Sequence, residues 1–178
     1  MKLETKNFYK TVGALVLPIA LQNLINVAVT SADVVMLGRV GETVLSGSSL
    51  AGQVQFVLTL FLFGLTSGAA VLTAQYWGKK DMRTIEKVMG IAFRFSIIVS
   101  VIFLLAVQIF PAQVMSIFTP EQPVIDEGVK YLRIVSFSYL TCAVTHVYLN
   151  VMRSVERVVI ATVTYSVSLI VNIIINGI

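Results

Sequence analysis

The stretch Val12–Leu37, VGALVLPIALQNLINVAVTSADVVML, decides the fold class. A helix rising 1.5 Å per residue crosses a hydrocarbon core about 30 Å thick in roughly 20 residues. This run exceeds that length and holds no base and one acid, Asp33. It is too long for the apolar core of a cleaved signal peptide, and no Ala-x-Ala site follows it. Four further stretches match it: Leu50–Trp77, Val88–Phe110, Val129–Met152 and Val158–Ile178. The chain is therefore expected to be an all-α integral membrane protein, a polytopic bundle of five transmembrane helices.

Composition agrees. Of the 178 residues, 57% are hydrophobic and 12% charged, whereas a soluble domain has about a quarter of its residues charged. One cysteine, Cys142, excludes an internal disulfide framework. The breaks between spans carry turn and charge signals: Gly38 to Glu42, Gly78 to Asp81, Pro111 to Gly128 with Pro120 and Pro123, and Arg153 to Arg157. None has room for a soluble domain. In the longest, the cluster Val114, Met115, Ile117 and Phe118 suggests a segment lying along the membrane interface.

Basic residues set the orientation. Lys2, Lys6, Lys10, Lys79, Lys80, Arg83, Lys87, Arg94, Arg153 and Arg157 fall on one side of the spans, and only Arg39, Lys130 and Arg133 on the other. The amino terminus is expected in the cytoplasm of a cell whose plasma (inner) membrane holds the chain. The net charge of +4 is used up by this bias, leaving no basic patch for nucleic acid. Arg94 lies inside the third span and is expected to snorkel to the cytoplasmic surface.

Polar groups in hydrocarbon are costly, so their faces carry the functional information. Gln22, Asn23, Asn26, Thr30 and Asp33 of the first span fall within an arc of about 100° at 100° per residue. They read as the lining of a cavity whose carboxylate binds a proton or cation. In the fifth span Tyr165, Ser168, Asn172 and Asn176 share an arc of about 80°. Asn172 and Asn176, four residues apart, can point at one site, where amide carbonyls are hard donors suited to Na⁺. The alternative for such amides is interhelical hydrogen bonding. Pro18, one turn before the first stripe, predicts a kink or hinge. Gly64 and Gly68 form a Gly-x-x-x-Gly packing face that also carries Gln53 and Gln75. In the fourth span Thr141, Thr145 and Tyr148 share a stripe, and the lone His146 reads as structural. No spacing suggests a metal cluster, a nucleophile–base pair or a nucleotide-binding loop, so neither an enzyme nor an organic cofactor is expected.

In order along the chain these residues resemble the start of a multidrug and toxic compound extrusion (MATE) transporter. Leu17-Pro18-Ile19-Ala20-Leu21-Gln22-Asn23-Leu24 with Ser31-Ala32-Asp33 and Gly38-Arg39 is similar to the family's first helix. Gly64 with Ala74-Gln75-Tyr76-Trp77-Gly78 resembles the second helix and its exit, and Tyr131-Leu132-Arg133 the start of the fourth. Asn172-Ile173-Ile174-Ile175-Asn176 resembles the Asn-x-x-x-Asp pattern of the fifth.

The resemblance implies an exporter of twelve helices in two six-helix lobes, exchanging organic cations or other amphipathic compounds for Na⁺ or H⁺ by alternating access. Residues 1–178 would be five helices of an incomplete amino-terminal lobe, with the carboxy-terminal lobe missing. Asp33, Asn172 and Asn176 inherit the coupling site. Asn176 stands where many members have Asp, which leaves Asp33 the one titratable carboxylate of the three. In a low-dielectric cavity the charged form of such an acid is disfavoured unless a cation lies beside it, and that couples ion binding to conformation. Two other readings use the same spans. A lipid-linked oligosaccharide or polysaccharide flippase of the same superfamily would want Arg and Lys in its cavity for phosphate, and a non-transporting membrane scaffold subunit would use the stripes as helix glue.

Overall fold

The computed structural model describes residues 2–157, together with 159, 163, 164, 166–168, 171 and 174. Among them there are helices and turns and no strand. Helix α1 spans Lys2–Val40, α2 Glu42–Gly78, α3 Met82–Ile109, α4 Pro111–Ser116, α5 Gln122–Val135 and α6 Ser138–Ser154. By length and composition α1, α2 and α3 can each cross a membrane, and α5 with α6 can form one further, bent span. The expected span 158–178 lies almost wholly outside the described residues; Val159, Val163, Val167, Val171 and Ile174 within it are exposed.

The core follows from one stripe on α2. Ala51, Val54, Leu58, Leu62, Thr66, Ala69 and Thr73 recur every three or four residues and are all buried. Their neighbours change along the helix. Ala51 to Leu62 meet Val107, Met115, Ile125, Leu132, Tyr139 and Ala143 at one end. Ala69 meets Ala92 and Val147 in the middle. At the far end Tyr76 and Trp77 pack on Ile85, Val151 and Val155. Helix α3 thus runs antiparallel to α2, and α6 runs parallel to it. The outer faces are apolar, as a lipid solvent requires: Phe56, Phe61, Phe63, Phe95, Ile98 and Ile102 are all exposed.

Without a hydrophobic force between helices in lipid, close backbone approach and local hydrogen bonds hold such a bundle together. A close backbone approach joins α2 to α5 at Gly47 and Gly128. A Cβ at Gly47 would fall 2.9 Å from both the Gly128 nitrogen and the Val124 carbonyl oxygen, and one at Gly128 would strike Met115. The buried Thr73 hydroxyl lies 3.0 Å from the carbonyls of Ala69 and Ala70 and 2.5 Å from the Ser154 hydroxyl, tying α2 to α6. Asp81 starts α3: its carboxylate accepts from the Thr84 hydroxyl at 2.6 Å and the Thr84 N–H at 3.1 Å. These two bonds hold the Asp81 carboxyl below its ordinary pKa.

Two stretches differ from the expectation. The fourth span, read as one helix over 129–152, is two helices meeting at 56°. Gln108 of α3 inserts at the joint, its side-chain amide donating at 2.9 Å to both the Arg133 carbonyl and the Ser136 hydroxyl. A side chain entering the backbone ladder in this way bends a helix. The segment after Pro111, read as lying on the interface, is partly core: it forms α4, whose Met115 is fully buried while Ile117 is 79% exposed. Pro18 leaves α1 continuous in its helical assignment from Lys2 to Val40.

Described basic residues gather at the two ends of the bundle. Lys79, Lys80, Arg83 and Arg153 lie at the end of the bundle where Thr73 meets Ser154 and Trp77 packs near Val155. Arg133 lies at the opposite end with Gln108, and Arg39 lies where α1 turns into α2.

Candidate functional site

Helix α1 is built differently from the rest. Among the described residues of its window Ile19–Met36 none is buried, and its packing on the bundle is chiefly against α2. Leu17, Leu21, Leu24 and Val27 are exposed, and so are Asn23, Asn26 and Thr30 of the polar stripe. The Thr30 hydroxyl donates to the Asn26 carbonyl at 3.0 Å, and Ser31 donates to Val27 at 2.8 Å, so both hydroxyls are satisfied within their own helix. The side-chain amides of Asn23 and Asn26 have no hydrogen-bond partner among the described residues. A groove of about 520 Å³ runs along this flank, lined by Asn26, Val27, Thr30, Ser31, Val34 and Val35.

Gln22 and Asp33 are helical in backbone, and α-helical register puts them on the stripe with Asn26; their side chains lie outside the described set. Of the fifth-span candidates, Ser168 is helical and exposed, while Tyr165, Asn172 and Asn176 fall outside the described residues.

Gly64 and Gly68 do not mediate close packing among the described residues. A Cβ at either position meets nothing within 4 Å. Both border an apolar groove of about 330 Å³ between α2 and α3, closed on the other side by Val88, Ile91 and Ala92. The backbone contact foreseen there occurs instead at Gly47 and Gly128.

A second polar seam, between α2 and α6, had not been picked out from the sequence. Gln55 donates its side-chain amide towards the Cys142 sulfur at 3.9 Å, and Thr59, one turn on, donates to the Gln55 carbonyl at 2.9 Å. His146 and Asn150 follow Cys142 on α6, half-buried, with the Asn150 amide 3.1 Å from the His146 carbonyl. The i, i+4 spacing of Gln55 and Thr59 was the available signal. The buried hydroxyls of Ser96, Ser100 and Tyr139 find no partner among the described residues. The two serines, also four apart, leave α3 slim on the side that meets α6.

Chemically, the described residues offer amides, hydroxyls and apolar walls. No group of three or more His, Cys, Asp or Glu lies together among them.

Comparison with known proteins places these helices in a family. The MatE family model matches residues 18–178, nearly the whole chain. The chain is 30% identical over 86 residues to the probable multidrug resistance protein NorM of Bradyrhizobium diazoefficiens, a match covering 48% of the chain and 18% of that protein. It is 21% identical over 173 residues to the probable multidrug resistance protein YoeA of Bacillus subtilis, covering 97% of the chain and 37% of that protein. The chain thus spans well under half the length of the curated relatives it matches.

Proposed function

The chain belongs to the MatE (MATE) family, and from that premise we propose that it supplies the amino-terminal, ion-coupling part of a secondary multidrug exporter. The exporter exchanges organic cations or amphipathic compounds for Na⁺ or H⁺ by alternating access. The observation that carries this reading is the stripe of α1. Asn23 and Asn26 are exposed and their amides have no hydrogen-bond partner among the described residues; Asn26 lines an open groove, and no described residue between Ile19 and Met36 is buried. A structural stripe would be expected to close on a neighbouring helix.

Asp33 is the group that makes the stripe responsive to an ion. As a carboxylate in a cavity of low dielectric it favours a bound cation or a proton. Binding at Asp33, completed by Asn172 and Asn176, biases the access equilibrium one way and substrate binding biases it the other. Moving such an equilibrium from 1:99 to 99:1 takes about 5.5 kcal/mol of differential binding, within reach of a desolvated carboxylate and a cation. The likeness of the chain to proteins named for multidrug resistance supports an amphipathic cargo, and amides, hydroxyls and one acid suit a cationic or neutral compound better than a phosphate.

The test is Asp33→Asn in the full-length protein, reconstituted in everted vesicles. Folding and membrane insertion are expected to persist while ion-driven dye extrusion stops. Extrusion at the unmodified rate would overturn the assignment of Asp33 as the coupling group.

A further inference from the structure

The basic residues of α3 include one that the positive-inside bias alone does not explain. Arg83, Lys87 and Arg94 follow one another at spacings of four and seven, so with Gly90 they lie on one face of the helix. They line an open groove of about 500 Å³ together with Glu86 and Ile91. Arg94 is exposed, and among the described residues it has no ion pair or hydrogen bond. Its position is twelve residues past Met82, about 18 Å along the helix, well inside the apolar segment. Gly90 keeps the floor of the groove low: a Cβ there would meet nothing within 4 Å.

Beyond Arg94 the exposed residues of this face are apolar as far as Leu105, with Ile98 and Leu105 close to the line of the bases and Ile102 beside them. The face is therefore two-part: cations over the first three turns, then hydrocarbon. A soluble phosphate matches the first part only, whereas a glycerophospholipid matches both. Helix geometry also favours an anion there. Arg83 and Lys87 lie near the positive end of the α3 dipole, where a base is disfavoured and a negative group relieves it. The Arg94 side chain leans towards the amino-terminal end of the helix, which brings its guanidinium over Gly90 towards Lys87.

We propose that this face is a binding site for an anionic glycerophospholipid, its phosphate held by Lys87 and Arg94 above Gly90, with Arg83 at the outer rim and its acyl chains along Ile98, Ile102 and Leu105. Glu86 at the margin selects against a second negative charge on that side. The site rests on the membrane-spanning assignment of α3 and is independent of Asp33 and the transport reading.

The experiment compares retention of phosphatidylglycerol and phosphatidylcholine by the full-length protein in detergent, using native mass spectrometry after lipid is added back at equal ratios. Phosphatidylglycerol is expected to be retained preferentially. Arg94→Gln is expected to lower its retention about fivefold, the factor associated with one basic residue near an anionic surface. Gly90→Leu, which keeps every charge and fills the groove floor, is expected to lower it as well. Arg94→Lys retains the charge and is expected to fall between Arg94→Gln and the unmodified protein. Circular dichroism of each variant checks that the helices are intact. Unchanged retention in both Arg94→Gln and Gly90→Leu would overturn the site. Displacement of the lipid by millimolar inorganic phosphate would also overturn it, in favour of a soluble phosphate ligand.

Discussion

Helix α1 and the bundle of α2, α3, α5 and α6 carry similar residues and use them in opposite ways. In the bundle, buried hydroxyls are mostly satisfied locally: Thr66 donates to Phe63, and Thr73 and Ser154 share their two protons between each other and the own-helix carbonyls of Ala69, Ala70 and Val151. In α1 Asn23 and Asn26 remain exposed, and Asn26 lines an open groove. The difference is one of side-chain reach. A Ser or Thr hydroxyl folds back onto its own helix, so it can be buried at little cost. An Asn side chain carries two N–H donors and an acceptor oxygen, so even where one N–H bonds within its own helix, as Asn150 does to the His146 carbonyl at 3.1 Å, the remaining groups need a neighbour, a ligand or water. Polar residues of the first kind are compatible with packing; those of the second kind mark a surface kept for something else.

The contrast is broken most severely at the backbone approach of Gly47 to Gly128. Gly47→Val is expected to destabilise the bundle by about 3 kcal/mol, since the added carbons meet backbone atoms of α5 that cannot move aside. Gly64→Ala, in open space, is expected to change the melting temperature little or raise it. Thermal unfolding of the two variants in one detergent checks both, and equal destabilisation would remove the distinction between packed and open glycines.

At the joint of α5 and α6, Gln108→Leu removes two hydrogen bonds and is expected to cost about 1–2 kcal/mol. Hydrogen exchange should rise locally at Arg133 to Tyr139, not along the whole of α6. A smaller effect is expected where α2 meets α6. A double-mutant cycle of Thr73→Val and Ser154→Ala should give a coupling of about 0.6 kcal/mol, the scale of interhelical hydrogen bonds in membrane bundles. On α1, Asn26→Leu is expected to leave stability within about 0.5 kcal/mol while impairing transport. A large loss of stability there would show that the stripe is structural.

The last prediction concerns pH outside the membrane. Thr84 holds the Asp81 carboxyl below its unfolded value, so the folded state binds its proton less readily. The stabilisation is therefore present above the unfolded pKa and lost as pH falls through the folded one. The effect is small because the group is solvent-exposed. Asp81→Asn, which keeps a capping oxygen without the charge, should flatten the acid limb of the stability profile.

Much of this was legible in the chain itself. Span lengths, the two basic clusters and the α1 stripe follow from residue type and helical period, since a membrane imposes one length and one solvent on every segment. The bend between α5 and α6 was not legible within 129–152, because its cause, Gln108, lies on another helix. Gly64 and Gly68 looked like a packing motif because small residues permit approach; they do not compel it. Gly47 and Gly128 carry no such motif and make the contact, because α2 and α5 cross there.

What the sequence alone determined is the membrane environment, the polarity of the two ends and the presence of an amide stripe with one carboxylate, all consequences of one-dimensional patterning against a fixed helical repeat. Only the tertiary structure decided which polar groups are spent on packing and which stay open. That choice depends on which helix lies opposite, and a helix's partner is set by surfaces distant in sequence: α2 collects α3, α5 and α6 around its buried stripe and leaves Asn23, Asn26 and Thr30 of α1 exposed.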